Sequence, residues 1–302
     1  MLLACWTLIA TGGNQRTDWI EEEVKDAVET KNDAGLAEEK QRAREQWSED
    51  PCGSHYARGE ELGTREFFDE VERHRYEEYA PWMRSVMGFD SFSGARLLEI
   101  GCGMGTDLLQ FARGGARCTG VDLTPRSVEI TRHRFALYGL PGDFMLADGE
   151  HLPFADSSFD VVYSNGVLHH TPDTERAVRE VHRVLRAGGV ARVMLYHRHS
   201  LNYWGEMILH RGLLRGELLR GRSPEEIMSR YVEYSEHGGR PLVKVYSRRE
   251  ARALFSPFSE INIEVEQMIR QELSLFGHLI PESLFRRLRR TAGWNVIITA
   301  KK

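Results

Sequence analysis

Cysteine is scarce in this chain of 302 residues, with only four: Cys5, Cys52, Cys102 and Cys118. They form no CxxC pair, and none has a histidine at metal-ligand spacing, so neither a disulfide framework nor a structural zinc site is expected. The expectation is free thiols in a reducing, cytoplasmic setting, with no metal ligands; Cys52, in Pro51-Cys52-Gly53 ahead of the core, is the one to watch as a pocket residue. Long apolar runs are also missing. No segment approaches the roughly 18 uninterrupted apolar residues of a bilayer-spanning helix. Residues 1–12 are apolar but short and lack a basic leader, which reads as a misassigned start or a frayed terminus rather than an export signal. Positive charge is not in excess either. A net charge of −5 gives no general attraction for polyphosphate, which argues against a nucleic-acid partner. Repeats and low-complexity tracts are absent.

The composition itself, 41% hydrophobic and 28% charged, is that of a globular protein. The length suits one α/β core with accessory parts. Residues 19–47 are rich in Glu, Lys and Ala with a thin apolar stripe (Ile20, Val24, Val28, Leu36), which predicts a weakly packed helix broken at Pro51-Cys52-Gly53-Ser54. Helices are predicted near 64–79 and 81–86. From residue 95 strands and helices alternate. Short apolar runs at 96–100, 117–121, 144–147, 159–164 and 190–196 read as buried strands, and the helical stretches between them imply a parallel sheet with right-handed crossovers. Thr124-Pro125 supplies an N-cap and first-turn proline for the helix that follows. Beyond Tyr196 the rhythm breaks into irregular amphipathic helices at 201–219 and 224–234, and strands resume at 261–268 and 294–300.

The informative segment is Leu97-Leu98-Glu99-Ile100-Gly101-Cys102-Gly103-Met104-Gly105-Thr106-Asp107. A strand that ends in alternating glycines and enters a helix makes a tight turn whose backbone can approach a ligand at the carboxyl edge of the sheet. Asp122, about 20 residues after Gly101 at the end of the next strand, is placed to accept ribose hydroxyls. Dinucleotide turns read GxGxxG around a pyrophosphate; here the third glycine arrives one residue early and Asp107 follows. Glu99 and Asp107 suit a ligand carrying a cationic sulfonium and ammonium, with helix capping or a solvated charge as the plainer alternative.

In these motifs the chain resembles the class I S-adenosylmethionine methyltransferases, and within them the small-molecule branch that includes the ubiquinone and menaquinone C-methyltransferases. The resemblance covers residues 97–196 well, is weaker at 258–302 and is absent from the N-terminal region. It rests on the glycine segment, Val121-Asp122-Leu123-Thr124, Ala147-Asp148-Gly149-Glu150-His151-Leu152-Pro153-Phe154, Phe159-Asp160-Val161-Val162-Tyr163-Ser164 and Leu185-Arg186-Ala187-Gly188-Gly189. It implies a doubly wound, Rossmann-like α/β fold: a seven-stranded sheet, mostly parallel with an antiparallel last strand. A helical N-terminal extension (1–93), the cofactor-binding core (94–199), a helical cap (200–257) and C-terminal strands (258–302) complete the expected organisation.

The resemblance further implies S-adenosyl-L-methionine as cofactor, with Glu99, Gly101, Cys102, Gly103 and Gly105 around its methionine part and Asp122 on the ribose. Leu123 and Gly149 would pack the adenine, Asp148 would accept from its amino group, and Asn165 would lie near the methionine. Ala187 stands where the family often has proline. Ser164-Asn165-Gly166-Val167 replaces the Asn/Asp-Pro-Pro-aromatic tetrad of enzymes that methylate amino groups of DNA bases.

Methyl transfer from a sulfonium is an in-line displacement, accelerated largely by alignment and desolvation. A base is required only where the acceptor must lose a proton. Asn165, His169, His170, Tyr196 and His197, at carboxyl ends of strands, are the candidates; a histidine with a pKa of about 6.5 suits the task, while a structural or cofactor-side role is the alternative for His169. Tyr203, Trp204, Met207, Ile208 and Leu209 in the cap either line an apolar pocket or pack on the core. The Leu-Phe-Arg-Arg-Leu-Arg-Arg run at 284–290 reads as a solvated helix face; weak association with an anionic membrane surface is the most it offers, without insertion. A small-molecule acceptor is the leading expectation. The alternatives are a nicotinamide-dependent oxidoreductase, a non-catalytic cofactor-binding protein, and a protein or RNA methyltransferase.

Overall fold

The computed structural model describes residues 37–57, 59–232 and 240–302. Cys5 and the apolar stretch 1–12 lie outside them. In chain order the elements are helix α1 (37–49), α2 (Arg65–Arg73) continuing as a π-helical turn His74–Tyr79, α3 (Met83–Met87), β1 (Arg96–Ile100), α4 (Thr106–Arg113), β2 (Arg117–Asp122), α5 (Pro125–Tyr138), β3 (Asp143–Leu146), β4 (Phe159–Asn165), α6 (Thr174–Val184) and β5 (Leu185–Tyr196). A π-helical segment Asn202–Leu214, α7 (Pro224–Tyr231), α8 (Arg248–Leu254), β6 (Glu260–Glu266), the 3-10 segment Arg270–Leu279, α9 (Glu282–Ala292) and β7 (Asn295–Lys301) follow.

The strands form one seven-stranded sheet in the order β3-β2-β1-β4-β5-β7-β6. β1 to β5 pair in parallel, and β7 runs antiparallel to both β5 and β6. This is the expected doubly wound topology with its antiparallel last strand. Both faces are covered because successive side chains alternate: Leu98, Ile100 and Val162 join one apolar layer with α6 and α8, while Leu97, Val161 and Tyr163 join the other with α3 and α4. The chain leaves β1 toward β2 and β3, then returns to β4 on the other side of β1. That reversal opens a crevice at the carboxyl ends of β1 and β4. Local signals set the flanking elements. The Thr124 hydroxyl accepts from the Ser127 N–H with Pro125 in the first turn of α5, and Gly139 in the left-handed region ends that helix.

Two sequence readings change. The cap segment is not amphipathic: Asn202–Leu214 buries Met207 yet leaves Trp204, Leu209, Leu213 and Leu214 exposed, so apolar residues point both ways. The N-terminal helix, over its described part 37–49, packs through few residues, as its thin apolar stripe predicts. In α1, Ala43 and Gln46 are buried, because the helix lies on the crevice. α8, placed in the cap by sequence, packs on the sheet with Ala251 and Phe255 in its core. The basic run 284–290 lies on α9, which turns Phe285 inward and sets Arg289 on Glu266 at 2.7 Å. Among the described residues, no helix is long and apolar enough to cross a membrane.

Candidate cofactor and acceptor site

One cavity of about 1120 Å³ runs along the carboxyl edge of the sheet, from Ala147 and Asp148 beyond β3 to Gln267 beyond β6. That exceeds the roughly 300–1,000 Å³ of a typical single-ligand pocket, so the cleft has room for two molecules side by side.

The glycine turn forms its floor. Gly101 stands at φ 75°, and a Cβ there would come within 2.3 Å of Val167 Cγ2, so no side chain fits. Gly103, at φ 54°, faces open space that a side chain would fill. Gly105 caps α4 in the left-handed region, its missing Cβ leaving room for Thr131. Cys102 lines the turn through its backbone; its thiol packs where Gly120 has no side chain, and burial pushes it well above the ordinary thiol pKa. Cys118 is also a buried thiol, pushed up to about 12 by burial.

Asp122 ends β2 beside the turn. Its Oδ2 accepts from the Gly103 N–H at 3.0 Å, and its Oδ1 accepts from the Thr124 N–H and hydroxyl, both at 2.9 Å. Burial raises its pKa against the pull of these donors. These donors fix the orientation of the carboxylate beside the glycine turn. Glu99 is 3% exposed and its Oε2 has no hydrogen-bond partner among the described residues. Burial, reinforced by the Asp107 charge, holds its carboxyl well above the usual range. An orphaned acid under a glycine turn is an open position for a cation.

Asp107, read from sequence as a second such acid, is closed off. Arg75 holds both its oxygens at 2.7 Å, and the hydroxyls of Tyr76 (2.6 Å) and Tyr163 (2.8 Å) take one each. Burial is outweighed by Arg75 and these donors, so the carboxyl lies below its usual range. Four donors leave this carboxylate nothing to offer a ligand; it ties the N-terminal region to α4.

Asp148 is already engaged. Its Oδ2 accepts from Lys40 Nζ at 2.7 Å and its Oδ1 from the Glu150 N–H at 2.9 Å; Lys40 also pairs with the buried Glu150. Among the described residues the one grouping with metal-like spacing, Asp148, Glu150 and His151, therefore already holds an ammonium. Leu123 and Gly149 line the same end, and Arg44 Nε donates to the Leu123 carbonyl at 3.2 Å. Asn165 lines the cavity beyond β4, its Oδ1 buried without a partner among the described residues.

The base candidates separate. His169 is fully buried, does not line the cavity, and is kept neutral by burial and by His170. Its ring lies 3.9 Å from that of Tyr196, a packing role. His170 does line the cavity, and its Nδ1 donates to the Leu242 carbonyl at 2.7 Å, which leaves Nε2 as the acceptor-capable nitrogen of the neutral ring. Tyr196 lines the cavity with its ring stacked on Trp294 at 4.5 Å. His197 is buried away from it, with Nδ1 on the Gly293 carbonyl. Sequence reasoning missed Lys40, Trp47, Trp82, Gln267, Trp294 and Asn295, all of which line the cleft. No motif or spacing in the sequence marks them. Cys52 lies at the cleft, as watched for.

Residues 98–193 match the family profile described as "Methyltransferase domain". The chain is 39% identical over 94 residues to a sterol 4-C-methyltransferase of Caenorhabditis elegans, covering 30% of this chain and 28% of that protein. It is 36% identical over 185 residues to a phthiotriol/phenolphthiotriol dimycocerosates methyltransferase of Mycobacterium ulcerans, covering 60% and 64%. This chain spans less than two thirds of the length of these curated relatives. A solved S-adenosylmethionine-dependent methyltransferase from Methanosarcina mazei shares the fold at a TM-score of 0.51 and 18% identity, covering 72% of this chain and 96% of that one. Neither curated relative is by name a quinone methyltransferase. The glycine turn and Asp122 both lie within the matched segment, so residues 98–193 form a methyltransferase domain.

Proposed function

We propose that this protein transfers a methyl group from S-adenosylmethionine to an apolar small molecule bound in the same cleft. The observation that carries the proposal is the continuity of the cavity: its polar end has the donor set for the cofactor, and its other end is lined by Met83, Met194, Met207, Tyr196, Trp82 and Trp294. The residues present fit the cofactor. Gly103 leaves a cradle that a Cβ would fill, Asp122 would hold the ribose hydroxyls, and orphaned Glu99 would meet the cationic methionine part. When bound, the cofactor supplies an electrophilic methyl on a sulfonium. The chain's part is to align the acceptor, to keep water out with the aromatic wall and α1, and to receive a proton where the acceptor must lose one. That His170 lines the cavity while His169 and His197 do not supports it in that last role. The sterol and the phthiotriol dimycocerosates in the relatives' names support an apolar acceptor here.

The test uses methyl-labelled S-adenosylmethionine with purified protein and cell extract. Label in the organic fraction, lost in Asp122→Ala, is the expected result. Label confined to macromolecules or polar metabolites would overturn the acceptor class.

A further inference from the structure

The far end of the cavity is closed by Gln267. It follows β6 at φ 68°, the left-handed region that a residue with a side chain enters only at a cost, and it is 2% exposed. Its carbonyl accepts from the Trp294 N–H at 2.7 Å, extending the β6–β7 ladder by one bond. Its amide reaches away from the sheet. Oε1 accepts from the Trp82 indole N–H at 2.7 Å, and Nε2 donates to the Tyr79 carbonyl at 3.1 Å. The indole donates only and the carbonyl accepts only, so the amide orientation is fixed by its partners. Trp82 and Tyr79 precede the sheet by sequence, yet both line the cleft with Gln267. Glycine would take this backbone angle without strain. A glutamine there makes sense for what its amide holds.

We propose that Gln267 is a positioning residue for the acceptor: it fixes the Trp82 indole as the wall of an apolar subsite that Met83, Met207, Tyr196 and Trp294 complete. This rests on the methyl-transfer reading of the cleft. The ligand it implies is an apolar molecule large enough to touch both the N-terminal segment and the β5–β7 edge. Cofactor affinity is set at the opposite end, at Asp122 and Glu99, and is independent of Gln267.

The full chain, saturated with S-adenosylhomocysteine, is titrated with the neutral apolar probe N-phenyl-1-naphthylamine, followed by energy transfer from tryptophan. Gln267→Gly relieves the backbone strain but removes the amide. It is expected to weaken probe binding about tenfold, the scale of one buried hydrogen bond, while S-adenosylhomocysteine affinity stays within about twofold. Gln267→Glu keeps an acceptor for Trp82 but sets a carboxylate against the Tyr79 carbonyl; its probe affinity is expected to recover as pH falls and the carboxyl becomes a donor. A purely structural role predicts no such recovery. Wild-type probe affinity in Gln267→Gly, or probe and S-adenosylhomocysteine affinity falling in the same proportion, overturns the proposal. If wild-type protein binds both ligands but methylates nothing in any extract, the transfer reading fails, and the probe titrations still decide the role of Gln267.

Discussion

Glu99→Gln separates cofactor binding from stability, and in opposite directions. In the ligand-free protein the buried Glu99 carboxyl, with Oε2 unpartnered and Asp107 nearby, holds its proton more tightly than in the unfolded chain. The sign follows from linkage: a carboxyl whose pKa is raised on folding contributes stability below its ordinary pKa, about 4.3, and loses it as pH rises through the raised value. Glutamine has no such proton to lose. The variant is therefore expected to melt higher than wild type, by about 2 °C for about 1 kcal/mol in a chain of this size, with the gain growing from pH 5 to pH 8. Cofactor binding moves the other way. A hydrogen bond to a charged partner contributes about 1.5–3 kcal/mol, so S-adenosylmethionine should bind roughly 10- to 100-fold more weakly. Calorimetric titration and thermal melts on one preparation read both effects. Unchanged affinity, or a melting point that falls at pH 8, refutes the assignment of Glu99 as the acid for the cofactor's cation.

His170→Ala is expected to lower turnover about a hundredfold, the usual scale for a general base, with cofactor affinity retained; full turnover across pH 6 to 9 rules the role out. Lys40→Met removes the ammonium that ties α1 to Asp148 and Glu150, so S-adenosylhomocysteine should dissociate several-fold faster in stopped flow, and an unchanged rate would mean that α1 does not retain the ligand. Arg75→Met strands the buried Asp107 charge and should cost about 3–5 kcal/mol in urea unfolding, partly recovered by adding Asp107→Asn. Because Arg75 lowers the Asp107 pKa against burial, the contribution of this pair is full above about pH 4 and lost as pH falls through the lowered value; Asp107→Asn should flatten that acid limb.

What could be read from the sequence was what the chain builds locally. The glycine spacing from Gly101 to Gly105 and the acid at Asp122 are separated by one strand–helix unit, so turn chemistry and strand period locate them without the fold. The same holds for the Thr124 cap and for the alternation of strands and helices that implied a parallel sheet. What stayed hidden is made by contacts between distant segments. Asp107 has the same composition cues as an open cofactor acid until Arg75, 32 positions earlier, is seen to close it. Asp148 is claimed by Lys40 from 108 positions away, on a helix whose sparse apolar stripe gave no hint that it covers a cleft. Gln267 joins Trp82 across 185 positions, and nothing in a strand-ending glutamine announces a left-handed backbone. His169 and His170 are adjacent in sequence and differ only in which one the turn after β4 aims at the cavity.

The proposed function requires one cleft to hold a nucleoside donor at the glycine turn and to keep its aromatic end for an apolar acceptor. A crystal structure with S-adenosylhomocysteine tests it most directly. The expected complex has the ribose hydroxyls on Asp122, the amino group within reach of Glu99, and the space bounded by Trp82, Met207 and Trp294 left open. A ligand ribose away from Asp122, or an adenosyl group lying across the aromatic end, would contradict it.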